Sequence, residues 1–195
     1  MPTQPPTTNP QVRLFTALWP SQAAVDALRS DLDAAGADWP PEGWRATPPS
    51  RWHLTLCFHG DADPGMLARQ LEQRAAGCVA PRLRLAGAGF LPRVAFARVF
   101  GTEPADDAAL GGLVAAAGGN PAGFLPHVTV ARARRGRAWP TSTGPLHRHR
   151  GPWWQPGEVH LVSSEQAPGP VRYRVQHRVP LLTAAPGRSA SAAGW

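Results

Sequence analysis

The chain has 195 residues, 43% of them hydrophobic, which suits one domain with a sizeable core and leaves little for a second. No apolar run approaches a membrane span, no basic-plus-apolar leader opens the chain, and Cys57 and Cys78 have neither metal-ligand spacing nor a pairing pattern, so a cytoplasmic, monomeric protein is expected. The net charge of +7 invites a polyanionic partner, yet all the basic residues are Arg, and 20 Gly and 23 Pro accompany them, so much of that charge reflects a GC-rich coding bias.

Residues 1–11 carry no charge and read as a disordered arm; residues 184–195 read as a flexible tail, leaving 12–183 as the domain. Arg13 to Trp19 has the pattern of a first strand. Ser21 and Gln22 open a helix whose stripe is Ala24, Val25, Leu28, Leu32 and Ala35, ended by Gly36. A Pro/Gly/Trp-rich loop from Asp38 to Arg51 leads to a strand containing His53-Leu54-Thr55-Leu56. Asp63-Pro64 starts a second helix, lined by Leu67, Leu71 and Ala75 and closed by Gly77. Two strands follow, Arg82–Ala86 and Val94–Phe100, joined around Gly87, Gly89 and Pro92. A helix over about Ala105–Ala117, loosened by Gly111 and Gly112, precedes a strand containing His127-Val128-Thr129-Val130. An Arg-rich loop then holds Arg132, Arg134, Arg135, Arg137, Arg148 and Arg150 with no acid between them. Glu158–Ser163 and Val171–Val179 form a closing hairpin, in which Val171, Tyr173, Val175 and Val179 alternate with Arg172, Arg174, Gln176 and Arg178.

The two tetrapeptides share one logic. Residues i and i+2 of a strand point to the same face, so His53 projects with Thr55 and His127 with Thr129, while Leu54, Leu56, Val128 and Val130 turn to a core. Cys57 is expected on the His53 face. A single His-x-Thr is commonplace and reads equally well as the wet face of an amphipathic strand. Two of them, 74 residues apart and each following a helix, suggest a pseudo-duplicated, two-lobed α+β fold with one motif from each half facing a shared groove.

Through these motifs the chain resembles the RNA 2′,3′-cyclic phosphodiesterases, also called bacterial 2′-5′ RNA ligases, of the two-histidine phosphoesterase superfamily. The similarity runs from about Val12 to Leu182. It is carried by Trp52-His-Leu-Thr-Leu-Cys-Phe-His-Gly60 and Phe124-Leu-Pro-His-Val-Thr-Val-Ala-Arg132. Weaker support comes from Arg13-Leu-Phe-Thr-Ala-Leu, Leu85-Ala-Gly-Ala-Gly-Phe-Leu-Pro-Arg93, Val162-Ser-Ser and Tyr173. The resemblance implies two antiparallel sheets lining a central cleft with helices packed outside. It implies hydrolysis of RNA 2′,3′-cyclic phosphate ends to 2′-phosphomonoesters with no metal or other cofactor. A reverse 2′-5′ ligation is associated with the family. By that analogy His53 is the general acid, His127 the general base, and Thr55, Thr129 and Arg132 bind the phosphate.

The chemistry matches the residues. An unperturbed imidazole titrates near pH 6.5 and serves either role near neutrality. The hydroxyls donate to non-bridging oxygens as negative charge builds. Two departures stand out. Gly118-Gly-Asn-Pro-Ala-Gly123 is short and uncharged where family members often carry a basic residue. Strict alternation from His127 puts Arg132 on the wrong face, so its role requires a bulge or a strand end. His59, His147, His149, His160 and His177 are read as loop or hairpin residues. Trp44, Phe58, Phe124 and Trp153 are candidates for stacking on single-stranded RNA. The competing functions are a phosphodiesterase for small cyclic nucleotides or ADP-ribose cyclic phosphate, and a non-catalytic module that binds RNA ends.

Overall fold

A computed structural model describes residues 11–134, 144–166 and 171–183; the expected N-terminal arm (apart from Gln11), the C-terminal tail and Arg135 and Arg137 lie outside the described residues. The elements run β1 (Gln11–Leu18), α1 (Gln22–Ala34), β2 (Trp44–Ala46), β3 (Leu54–Gly60), α2 (Pro64–Ala75), β4 (Leu83–Leu91), β5 (Val94–Gly101), α3 (Pro104–Ala116), β6 (His127–Ala133), β7 (Arg150–Trp154), β8 (Glu158–Gln166) and β9 (Arg172–Pro180). No helix among them is long and apolar enough to cross a membrane.

Local signals explain the helices. The Ser21 hydroxyl accepts from the Ala24 amide at 3.3 Å, satisfying a first-turn donor, and Ala24, Leu28 and Leu32 are the buried stripe of α1. Asp63 caps α2 through the Met66 amide, Pro64 occupies the first turn, and Leu71 and Ala75 are buried. In α3, Leu110, Leu113 and Val114 are buried, so packing outweighs the cost of Gly111 and Gly112.

The fold is α+β, but the expected pair of sheets is one. The strands form a single antiparallel sheet in the order β7-β4-β5-β6-β3-β1-β8-β9, with β2 added on β6. The two halves meet where β3 and β6 pair at Leu54 and Val128. One face of the sheet carries the helices. There Leu14, Leu18, Leu54, Leu56, Leu83, Leu85, Val99, Val128, Val130 and Leu161 join the buried stripes of all three helices in one core.

Several connections read as loops are strands. Trp44–Ala46 pairs with β6 from inside the Asp38–Arg51 segment. β4 continues through Gly87 and Gly89 to Leu91, and the turn falls at Pro92-Arg93. The basic loop contains β7, and His149 before it is only 1% exposed, its Nδ1 donating to an Asp31 carboxylate oxygen of α1 at 2.7 Å.

Bulges reset the faces that simple alternation assigns. In β3, Ala17 faces Thr55 while Thr16 faces Cys57, leaving Leu56 as an extra residue. Cys57 therefore leaves the Thr55 face and packs against the helix-side core. Phe58 opposite Phe15 turns outward, 76% exposed. In β9, Val175 faces Val162 but His177 faces Leu161, so Gln176 is extra. The apolar positions of that strand thus do not share a face: Val179 is buried in the core opposite Val159, whereas Tyr173 and Val175 look the other way.

Candidate active site

The site lies on the sheet face opposite the helices, at the β3–β6 junction. His53 immediately precedes β3 and His127 begins β6. Around the antiparallel pair Leu54–Val128, the register sets His53 toward Thr129 and Thr55 toward His127. Since Leu54 and Val128 are both 0% exposed on the core side, the four flanking polar residues share the open face. The sequence-predicted His and Thr pairs are thus brought together from both halves.

Both imidazoles are held in the same way. His53 Nδ1 donates to the Arg51 carbonyl at 2.7 Å, and His127 Nδ1 donates to the Leu125 carbonyl at 2.7 Å. A carbonyl only accepts, so each ring carries its hydrogen on Nδ1 and keeps Nε2 for a ligand. Among the described residues, neither Thr55 nor Thr129 spends its hydroxyl on a protein partner.

The surroundings of the two rings differ. His53 stacks on Phe15 (centroids 4.9 Å, 29° between planes), meets the edge of Tyr173 at 5.3 Å and lies 5.8 Å from Trp19. Burial in this aromatic box pushes its pKa down to about 4, against the hydrogen bond to Arg51 and with the nearby Arg132 guanidinium and the His127 imidazole adding to the depression. His53 is therefore neutral in the ligand-free protein at neutral pH. Among the described residues, the aromatic neighbour of His127 is Phe96, at 4.8 Å. That ring in turn lies over Gly89. A Cβ there would come within 2.3 Å of Phe96 Cζ, so only glycine lets Phe96 lie in this position beneath His127.

Arg132 reaches the site through the bulge its role required. Ala95 faces Ala131 and Phe96 faces Thr129, which makes Val130 an extra residue in β6. Val130 and Ala131 are consecutively buried, and Arg132 emerges opposite Val94, on the face of Phe96 and Thr129. Arg45 of β2 is its partner across the strand, a second guanidinium on this face. The sequence reading missed Arg45 because it lay in an apparent loop. It also missed Phe15, Phe96, Gly89 and the close approach of Tyr173 to His53, none of which has a local signal.

Other candidates resolve differently. Trp44 is 6% exposed in a small core cluster with Ala95 and Ala131, and Phe124 packs against the main core. Phe58 lies exposed beside Phe15 on the site face, and Trp153 sits on β7, away from the histidines. The Arg cluster is dispersed: Arg132 turns to the site, whereas Arg150 folds back onto the His149 carbonyl at 3.0 Å. His59 bonds Thr16 at 2.8 Å in the β1–β3 layer, and His177 pairs with Glu72 of α2. His160 lies edge-on to Trp19 at 4.9 Å and bonds Glu158.

No protein-family profile matches the chain, and no curated protein matches its sequence. Solved structures do match. TT0787 of Thermus thermophilus is 27% identical, with a TM-score of 0.64 over 87% of this chain and 97% of that one. LigT of E. coli complexed with phosphate is 25% identical, with a TM-score of 0.63 over 89% of this chain and 99% of that one. A structure described as a phosphoesterase is 23% identical, with a TM-score of 0.63 over the same shares. The likeness covers most of this chain and nearly the whole of each compared chain, and it shows that this chain has the two-histidine phosphoesterase fold.

Proposed function

We propose that the protein hydrolyses 2′,3′-cyclic phosphate ends of RNA to 2′-phosphomonoesters without a metal, using His53 and His127 as the acid/base pair. The observation that carries this reading is the matched tethering of two imidazoles, each by a 2.7 Å Nδ1 bond, on adjacent strands that also present two hydroxyls. Phosphate bound by LigT, a protein of the same fold, supports an anionic phosphorus substrate here.

In the reaction, His127 Nε2 takes a proton from water as the water oxygen bonds to phosphorus. The bond from phosphorus to the 3′-oxygen breaks in line, and protonated His53 gives its Nε2 proton to that oxygen. The 2′-ester remains. Each proton transfer typically contributes about 10²–10⁴-fold. Thr55 and Thr129 donate to the non-bridging oxygens, and Arg132 balances their charge. His53 acquires its proton only in the complex: the bound phosphate neutralises Arg132, one of the charges that depress the imidazole, and adds an anion that favours imidazolium. Attack by a 5′-hydroxyl of RNA on the cyclic phosphate would use the same groups for 2′-5′ joining.

The test is a chelator-containing assay on a short RNA ending in a 2′,3′-cyclic phosphate, with the product isomer identified. A 2′-phosphate formed by the intact protein and lost in His127→Ala is the expected result. Turnover unchanged by His127→Ala overturns the reading. Turnover confined to small cyclic nucleotides or to ADP-ribose cyclic phosphate transfers the chemistry to those substrates, and tight binding without conversion makes the protein an RNA-end binder.

A further inference from the structure

The open sheet face continues past His127 away from the β3 junction, and its side chains alternate in kind. Arg98 of β5 lies directly opposite His127. Phe100 follows two residues later on the same face, 42% exposed, with the Arg98 guanidinium 5.5 Å from its ring centroid. Arg84 of β4 faces Phe100, and Trp153 of β7 faces Arg84. Arg84 lies 4.4 Å over the Trp153 ring and Arg82 lies 5.8 Å from it. The line crosses three interstrand spacings, about 14 Å.

Two features set this line apart from an ordinary solvated edge. Among the described residues, none of Arg82, Arg84 and Arg98 has a carboxylate in ion-pair range. The nearby acids are already committed to backbone amides: Asp106 accepts from Arg82 and Thr102, and Asp107 accepts from Gly101. Guanidiniums fixed against aromatic rings, without acidic partners, suit a chain that offers a phosphate and a flat base at each step.

We propose that this face binds the nucleotides on the 5′ side of the reacting end, so that the substrate is a single-stranded oligonucleotide and not a mononucleotide. This rests on the hydrolysis reading for the position of the reacting phosphate beside His127. Arg98, Arg84 and Arg82 hold backbone phosphates, while Phe100 and Trp153 offer ring surface to bases. At 3.4 Å or more per nucleotide, the line accommodates about two to four.

The experiment compares kcat/KM for a 2′,3′-cyclic mononucleotide with that for a tetranucleotide carrying the same cyclic end. It uses the intact protein, Trp153→Ala and Arg98→Gln. The expected result is a preference for the tetranucleotide that Trp153→Ala cuts by roughly 5- to 150-fold, the range of a lost base stack, and that Arg98→Gln also reduces by loss of a phosphate contact, with mononucleotide turnover unchanged. Arg98→Gln also flattens the salt dependence of tetranucleotide KM. Equal kcat/KM for both substrates in the intact protein, or equal loss on both in the variants, overturns the track. Should the intact protein turn over neither substrate, the hydrolysis reading fails by itself. Fluorescence anisotropy of the labelled tetranucleotide then judges the track: binding weakened by Arg98→Gln upholds it, and unchanged binding overturns it.

Discussion

Leu54 pairs with Val128, and both are completely buried beneath the point where the two halves of the sheet meet. His53, Thr55, His127 and Thr129 are placed by this apolar pair, since the neighbours of each must face the other way. Replacing Leu54 by Ala empties the core under the junction. A loss of about 2–5 kcal/mol in unfolding free energy is expected, measurable by urea denaturation.

The depressed pKa of His53 is open to direct measurement. Its imidazole is expected to titrate near pH 4 by NMR in the ligand-free protein. Removing a positive neighbour favours imidazolium, so Arg132→Gln moves the midpoint upward, and added inorganic phosphate does the same. A midpoint in Arg132→Gln at or below that of the intact protein would contradict the shared phosphate site.

The same imidazole makes stability depend on pH. In the unfolded chain it takes up a proton near pH 6.5, while in the fold it stays neutral down to about 4. The unfolded state therefore binds more protons between these values, and stability falls as pH drops from about 6.5 toward 4, by on the order of 3 kcal/mol from this group. Burial lowers His59 and His160 in the same direction. Melting curves across this range check the trend, and His53→Phe, which keeps a ring against Phe15, is expected to flatten it in part.

The proposed reaction has Thr55 and Thr129 donate to the non-bridging oxygens. Valine preserves the branched shape each strand accommodates and removes the donor. Thr129→Val is expected to lower kcat by about 10²-fold with little change in melting temperature. Full activity in the valine variant would remove the hydroxyl from the mechanism.

Gly89 supports His127 from two layers away. An added methyl collides with Phe96, which must move into the imidazole or away from it. Gly89→Ala is expected to reduce kcat by up to about 10²-fold through misplacement of His127. The upheld outcome is a displaced His127 NMR signal in a variant that still melts cooperatively; an unmoved signal with full activity refutes the support.

The His-x-Thr pairs, the helix starts and most strands were legible in the sequence because period-two alternation and capping residues act within a few positions. The demand for a bulge before Arg132 was legible too, as a conflict between its expected role and strict alternation. What stayed hidden depends on partners far along the chain. The β-bulges at Leu56 and Gln176 exist because the register with β1 and β8 shifts there, and they move Cys57 to the helix side and separate Val179 from Tyr173. Likewise Arg45 joins the site only because β2 docks on β6, and Phe96 lies flat only because Gly89 is across from it. Local pattern was enough to say which side chains suit the proposed chemistry and roughly which strands hold them. It took the folded chain to join the halves as one sheet, to turn Arg132 onto the site face and to rest His53 neutral in an aromatic box. Each of those outcomes is set by pairing register and burial, and these are properties of neighbours in space that no local pattern encodes.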